Sequence, residues 1–134
     1  MFLVDASVWV GASDPGDRFH AASSALVLDL DRPLAALDLT LYEIANSVGV
    51  RCRRPDDARY LSRLLVKRCQ DRLVPVDTEL IESSIELAAE HGLSAYDASY
   101  VAAAQRFGWA LVSTDIADLV SKGLAVTPDA ADYP

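Results

Sequence analysis

The sequence is poor in the residues that build zinc sites, disulfides and histidine-based catalysis. It has only two cysteines and two histidines in 134 residues. Cys52 and Cys69 form no CxxC pair, so a zinc site is not expected and both thiols are predicted to be reduced. His20 lies on a predicted helix surface and His91 near a helix end, which gives neither an expected catalytic role.

Long hydrophobic runs are also missing. No apolar stretch approaches the roughly 20 residues that span a bilayer. The first residues, MFLVDASVWV, lack a basic segment and reach an acid at Asp5, so they are predicted as a buried strand and not as a signal peptide. We therefore expect no membrane association and a cytoplasmic location. With 51% hydrophobic and 24% charged residues, the chain is predicted to be one domain over 1–134, with a loose tail at 127–134.

Positive charge is scarce, and its distribution is uneven. The net charge of −8 argues on average against a nucleic-acid partner. Residues 51–72, however, hold eight basic residues and three acids, a local charge of +5, which leaves −13 for the rest of the chain. Arg59, Arg63 and Lys67 are spaced i, i+4, i+8 and share one helix face. That face could bind phosphates, contact a protein partner, or only be solvated.

Short apolar runs alternate with amphipathic segments along the chain. Strands are predicted at 2–5, 34–37, 73–76, 109–113 and 124–126. Helices are predicted at 16–30, 40–51, 55–68, 77–89, 95–107 and 115–121. The alternation predicts an α/β fold, with a parallel sheet of four to five strands flanked by helices. Five aromatic residues have core-like spacings and are predicted to be buried: Trp9, Tyr42, Tyr96, Tyr100 and Phe107.

Four acids follow the carboxyl ends of the predicted strands or lie in the next helix turn: Asp5, Glu43, Asp97 and Asp115. Right-handed crossovers would bring these strand ends to one edge of the sheet, where ligands bind in open α/β folds. Each acid also has an ordinary structural explanation. Thr40 with Glu43 and Ser94 with Asp97 fit capping boxes, and the other two acids could cap a helix or close a turn.

The surroundings of two of these acids favour a binding role. Asp97 lies in SAYDASYVAAAQ, a helix of small and apolar residues that is expected to be buried, and Asp5 follows the apolar run FLV. Burying an unpaired carboxylate costs several kcal/mol, and no basic residue is close in sequence to either acid. A divalent cation is the simplest compensation. Magnesium and manganese prefer such oxygen ligands and can activate a water against a phosphodiester.

Four segments together resemble the PIN-domain ribonucleases, and more narrowly the VapC toxins of bacterial toxin–antitoxin pairs. They are VDASVWV at 4–10, LYEIANSV at 41–48, LSAYDASYVAAAQRFG at 93–108 and LVSTD at 111–115. Each motif is weak alone, but all four in this order are specific, and the similarity runs from Met1 to about Val126. The resemblance implies a PIN-like fold and endonucleolytic cleavage of RNA that depends on Mg²⁺ or Mn²⁺.

The same resemblance implies roles for individual residues. The catalytic and metal-binding acids of the family correspond to Asp5, Glu43, Asp97 and Asp115, with Asp118 as a further candidate ligand. Ser7 and Thr114 correspond to polar residues that hydrogen-bond to the acids and do not themselves bind the metal. The Arg59, Arg63 and Lys67 face becomes a candidate RNA-binding surface. The expected partners are an RNA substrate, a small VapB-type antitoxin and a second copy of the chain in a homodimer.

Other small acidic α/β proteins fit the residues less well. A receiver-type phosphorylation domain needs an acid pair after the first strand, where Asp5 stands alone. A haloacid-dehalogenase-like phosphatase needs Asp-x-Asp there, and position 7 is Ser7. The remaining alternative is a catalytically silent PIN-type module that binds RNA or protein. The intact acidic quartet argues against silence, and an activity assay distinguishes the two.

Overall fold

A computed structural model describes residues 1–131 of the chain. The strands are β1 (Phe2–Val4), β2 (Leu34–Leu37), β3 (Leu73–Val74) and β4 (Ala110–Val112). The α-helices are α1 (Ala6–Ser13), α2 (His20–Leu28), α3 (Leu39–Ile44), α4 (Pro55–Cys69), α5 (Thr78–His91) and α6 (Ala95–Phe107). There are also two π-helical segments, Ala45–Arg51 and Ile116–Val120, and two 3₁₀ turns, Gln70–Arg72 and Pro128–Ala130.

The four strands form one parallel sheet in the order β3-β2-β1-β4. Alternate residues of each strand face opposite sides, and both sides are covered by helices. Phe2 and Val4 pack with residues of α1, α2 and α4, whereas Leu3 packs with residues of α5 and α6. Because both faces are buried, the strands are apolar at every position. The predicted α/β fold, a parallel sheet flanked by helices, is confirmed.

The later helices match their predictions because their ends are specified by local residues. Pro55 stands in the first turn of α4, and Asp77 and Ser94 accept backbone N–H groups at the starts of α5 and α6. Gly92 and Gly108 follow the last residues of these two helices with φ of 67°, a conformation that glycine adopts without strain.

The N-terminal region differs from its prediction. The strand ends at Val4, and the chain continues from Ala6 as helix α1. Asp5 caps this helix by accepting a hydrogen bond from the Ser7 amide. The helix predicted at 16–30 begins only at His20 and ends at Leu28. Asp14 and Asp17 each accept an amide two residues ahead, which makes turns before α2 begins. The helix predicted at 40–51 is split into α3 and the π-helical segment Ala45–Arg51.

The C-terminal segment differs from its prediction in the fifth strand. Residues 124–126 contribute only an isolated bridge, between Val112 and Val126, and Pro128 soon after has no N–H to extend it. The 3₁₀ turn Pro128–Ala130 follows. Ala131 is buried, and its carbonyl accepts a hydrogen bond from the Arg32 guanidinium at 3.0 Å. The part of the predicted loose tail that the structure describes, 127–131, thus makes these contacts with the fold. Residues 132–134 lie outside the described residues.

The basic stretch 51–72 divides into structural and exposed side chains. Arg68 is buried and donates to the carbonyls of Val27, Asp29 and Arg32, so it joins α4 to the end of α2. Arg72 donates to the carbonyl of Leu34. The predicted face of Arg59, Arg63 and Lys67 is exposed, and Arg59 pairs with Asp56 at 2.8 Å. Its role in RNA binding stays a prediction.

The five aromatic residues do not all belong to the core. Trp9 and Tyr100 are fully buried, as predicted. Tyr42, Tyr96 and Phe107 are 81%, 62% and 42% exposed, so the core prediction is wrong for these three. Tyr42 and Tyr96 immediately precede Glu43 and Asp97, and a helix turns adjacent side chains to different faces.

Two further expectations concern membranes and thiols. Among the described residues, no helix combines the length and apolar composition needed to cross a bilayer. Cys52 is exposed, Cys69 is buried, and the two are not joined in a disulfide.

Candidate metal centre

The predicted acids gather where the order of the sheet reverses. β1 is the central strand, with β2 on one side and β4 on the other. The chain leaves β1 at Asp5 and leaves β4 shortly before Asp115. This position, outside the carboxyl ends of two strands whose connections diverge, is the usual ligand site of an open α/β sheet.

Asp5 is the most buried of these acids, with 4% of its surface exposed. Its Oδ1 accepts the amide of Ser7 at 3.1 Å and also the Ser7 hydroxyl. The pKa of Asp5 is raised to about 7, mainly by burial and to a smaller extent by the negative charge of Glu43. Hydrogen bonds from Ser113, Ser7 and the backbone of Val8 offset part of this increase in the pKa. Asp5 is therefore a desolvated carboxyl group whose negative charge is only partly stabilised by the protein.

Glu43 lies in α3 and is partly buried. The buried hydroxyl of Tyr100 donates to its Oε1 at 2.7 Å. Burial raises the pKa of Glu43, the Tyr100 hydrogen bond lowers it, and the negative charge of Asp97 raises it. Glu43 thus interacts electrostatically with Asp5 and with Asp97, and it connects the two sides of the site.

Asp97, Asp115 and Asp118 form the other side of the site. One carboxylate oxygen from each lies within 4.8 Å of the others. Burial raises the pKa of Asp97, and the charges of Asp115 and Asp118 raise it further. Ser94 and Lys122 act in the opposite direction. Asp118, predicted as an accessory acid, is placed beside two members of the quartet.

The donor set fits a divalent cation. Carboxylate oxygens are hard ligands of the type that Mg²⁺ and Mn²⁺ prefer. Burial is the main cause of the raised pKa values of Asp5, Glu43 and Asp97, and neighbouring carboxylates add to it, so a positive charge among these acids would be stabilised. Lys122 supplies a part, with its Nζ 4.0 Å from Asp118, but it also donates to the carbonyl of His91. A bound cation would supply the remainder.

The supporting residues differ in part from the predicted pair. Ser7 donates to Asp5 and accepts the amide of Thr114 at 3.0 Å. Thr114 therefore contributes a backbone N–H. Sequence reasoning missed Ser113, which is fully buried, accepts the amide of Asp115 at 3.0 Å and lies 3.4 Å from the Ser7 hydroxyl. The segment Ser113-Thr114-Asp115 after an apolar strand has the i to i+2 spacing of a serine turn, which could have identified it.

The proposed capping roles are correct for some residues and wrong for one. Ser94 accepts the amide of Asp97 at 3.1 Å, and Asp115 accepts the amide of Asp118 at 3.0 Å. Thr40 makes no cap: it lies inside α3, is buried, and its Oγ1 is 2.7 Å from the Tyr100 hydroxyl. Capping and metal binding do not exclude each other, because the Asp115 cap uses only Oδ1.

A small three-layer α/β domain with coupled acids at its switch point has the architecture of a PIN domain. Comparison of sequences agrees, since the sequence model of the PIN domain matches residues 2–119. The chain belongs to the PIN domain family, in its VapC branch. Ribonuclease VapC3 of Pyrobaculum aerophilum is 32% identical over 117 residues, which are 84% of this chain and 88% of that protein.

Solved structures share the fold. The VapC20 toxin of Mycobacterium tuberculosis, described as cleaving the sarcin–ricin loop, superposes with a TM-score of 0.77 at 22% identity, covering 92% of this chain and 95% of its own. A toxin–antitoxin complex from Klebsiella pneumoniae superposes with a TM-score of 0.70 at 18% identity, covering 96% and 98%. At these identities the comparison supports the fold alone.

The buried Asp5 carboxyl makes the stability of metal-free protein depend on pH. Its pKa is about 7 when folded, against 3.8 for the free side chain, so between these values the folded state binds more protons than the unfolded state. The stability that protonated Asp5 gives the folded state is fully present below about pH 4 and is lost as pH rises through 7. Asp5→Asn lacks this ionisation. We expect the variant to exceed wild type in unfolding free energy by on the order of 2–4 kcal/mol at pH 8 and by little at pH 4.

Urea unfolding in EDTA at both pH values measures this difference, with Asp71→Asn as the matched control because the Asp71 side chain is 90% exposed. A difference between Asp5→Asn and wild type that does not change with pH would contradict the assignment.

Proposed function

We propose that this protein is an endoribonuclease that depends on Mg²⁺ or Mn²⁺, and that it is the toxin of a type II toxin–antitoxin pair. The main observation is the coupled set of acids, in which Asp5, Glu43 and Asp97 all have raised pKa values. The relative that is 32% identical is a ribonuclease by name, which supports RNA as the substrate.

The acids would divide the work of binding. Asp5, Glu43 and Asp97 are proposed to hold the principal cation, and Asp115, together with Asp118, to position it or a second ion. The cation supplies Lewis acidity toward a water and the phosphate. Ser7 and Ser113 keep Asp5 and Asp115 in place through their hydroxyls. In hydrolysis the oxygen of a water would bond to phosphorus and the bond from phosphorus to the 3′ oxygen would break. A proton from that water would pass to the 3′ oxygen, which leaves 5′-phosphate and 3′-hydroxyl ends.

A groove beside the acids has the chemistry to hold RNA. Glu43 and Asp97 form part of its lining, together with the side chains Tyr42, Asn46, Ser47, Arg51 and Tyr96. The two exposed tyrosines offer ring faces for bases, and the guanidinium of Arg51 can meet a phosphate. Arg51 belongs to the basic stretch and lines this groove with Glu43 and Asp97, which supports it as a candidate phosphate contact. The α4 face of Arg59, Arg63 and Lys67 remains a second candidate surface.

Two protein partners belong to the proposal. Ile81 and Ile85 on α5 are 40% and 60% exposed, close to a largely apolar hollow that Ile81 and Tyr96 line, and this surface is suited to a second copy of the chain. A VapB-type antitoxin is proposed as a partner because a chain with this fold occurs in a solved toxin–antitoxin complex. We also propose a cytoplasmic location, as expected from the sequence.

Cleavage of RNA should require both the cation and the acids. We expect purified protein to cut cellular RNA in Mn²⁺ and to stop in EDTA. Asp97→Asn and Asp115→Asn should each reduce the rate by more than the roughly 10- to 100-fold that loss of a supporting hydrogen bond costs a metal site. Asp71→Asn, an exposed acid, is the control. Cleavage by Asp97→Asn at the wild-type rate would contradict the proposal, and cation binding without cleavage in wild type would favour the silent module.

The two candidate RNA surfaces are distinguished by the salt dependence of binding. In the Asp97→Asn background, Arg51→Gln should lower the slope of log affinity against log salt by about 0.7, the value for one phosphate contact on a single strand. Replacing Arg59, Arg63 and Lys67 together with Gln should lower it by about 2 if α4 also binds RNA. Fluorescence anisotropy from 50 to 300 mM salt, roughly the range over which such contacts weaken, measures both. An unchanged slope for either variant removes that surface.

Light scattering tests the partners. The chain has a mass of 14.5 kDa, so a homodimer should have twice that mass. Ile85→Glu should return it to a monomer, whereas Glu86→Gln, its exposed neighbour, should not. Co-expression with the small protein encoded beside the gene should add that protein to the particle and suppress cleavage. A monomeric wild type, or a neighbour that does not bind, contradicts the corresponding partner.

A further inference from the structure

A buried pair of hydroxyl groups lies directly behind Glu43. Tyr100 is 1% exposed and Thr40 is fully buried. The Tyr100 oxygen lies 2.7 Å from Glu43 Oε1 and 2.7 Å from Thr40 Oγ1. The three side chains therefore form a continuous hydrogen-bonded series from the core to the acid.

The direction of the two hydrogen bonds follows from the groups involved. An ionised carboxylate only accepts, and a metal ligand must be ionised, so Tyr100 donates its single proton to Glu43. Its oxygen can then only accept from the Thr40 hydroxyl. Thr40 in turn fixes the rotation of the Tyr100 hydroxyl and, by polarising it, strengthens the bond to Glu43.

The series also joins the two helices that provide the facing acids. Thr40 and Glu43 are spaced i, i+3 on α3, and Asp97 and Tyr100 are spaced i, i+3 on α6. The two hydrogen bonds of Tyr100 therefore connect the face of α3 that presents Glu43 to the face of α6 that presents Asp97. The Glu43 and Asp97 carboxylates repel each other. The hydrogen bond from Tyr100 opposes rotation of the Glu43 side chain away from Asp97.

We propose that Tyr100, oriented by Thr40, is a positioning residue that holds the Glu43 carboxylate against the repulsion of Asp97 and so preorganises the site for a divalent cation. This inference rests on the proposed function, because it assumes that the acids bind such a cation. Loss of a hydrogen-bond partner behind a metal ligand typically lowers metal affinity by roughly 10- to 100-fold.

Isothermal titration of Mn²⁺ into the full-length, metal-free chain tests the proposal. Tyr100→Phe keeps the ring and removes the hydroxyl, and it should weaken Mn²⁺ binding by roughly 10- to 100-fold. Thr40→Val should weaken it less. The double variant should bind no more weakly than Tyr100→Phe alone, since Thr40 acts through Tyr100. Tyr60→Phe, an exposed tyrosine on α4, is the matched control and should bind as wild type does.

A cycle with Glu43→Gln separates positioning from a structural role. If Tyr100 acts through Glu43, Tyr100→Phe should not weaken Mn²⁺ binding further in the Glu43→Gln background. If the role of Tyr100 is purely structural, Tyr100→Phe should lower the melting temperature and leave the Mn²⁺ affinity unchanged, or it should weaken Mn²⁺ binding by the same factor in both backgrounds. Either result overturns the inference while the proposed function stands. Absence of Mn²⁺ binding in wild type would overturn both.

Discussion

The organisation of the site depends on keeping several carboxylates of like charge close together and partly out of water. Asp5 is buried at the end of the central strand, and Glu43 and Asp97 are held beside it by two different helices. Such an arrangement is unfavourable for the protein alone, as the pKa of Asp5 near 7 shows. The fold tolerates it because the sheet and its flanking helices are well packed, and because the site is suited to a cation that would stabilise the charge.

The same local interactions serve folding and the site. Asp5 and Asp115 cap the segments that follow them, and these caps place the carboxylates at the switch point of the sheet. Ser113 and Ser7 connect the two strand ends behind the acids. The electrostatic cost of the site is thus offset in part by hydroxyl and amide hydrogen bonds that also end the strands and begin the helices. This dual use explains why Asp5 and Asp115, taken alone, each resemble an ordinary cap.

Local chemistry in the sequence was enough to predict the α/β class and, to within two residues, the boundaries of α4 to α6, because Pro55, Ser94 and Gly108 act on residues next to them. It also placed Asp5 and Asp115 shortly after the strands now seen as β1 and β4. It did not predict α1, since the apolar residues after Asp5 suit a strand as well as a buried helix. The bond between Thr40 and Tyr100 joins residues 60 positions apart, and only tertiary packing reveals it. The exposed side of Tyr42 and the buried role of Arg68 were missed for the same reason.

The central claim is that these acids form one cation site. A crystal structure of the protein soaked in Mn²⁺, with data collected at the manganese absorption edge, tests it most directly. The account predicts an anomalous peak at the switch point, within about 2.5 Å of carboxylate oxygens from Asp97 and from at least one of Asp5, Glu43 and Asp115. Manganese bound only elsewhere, or no anomalous peak at these acids in crystals soaked at pH 8, would contradict it.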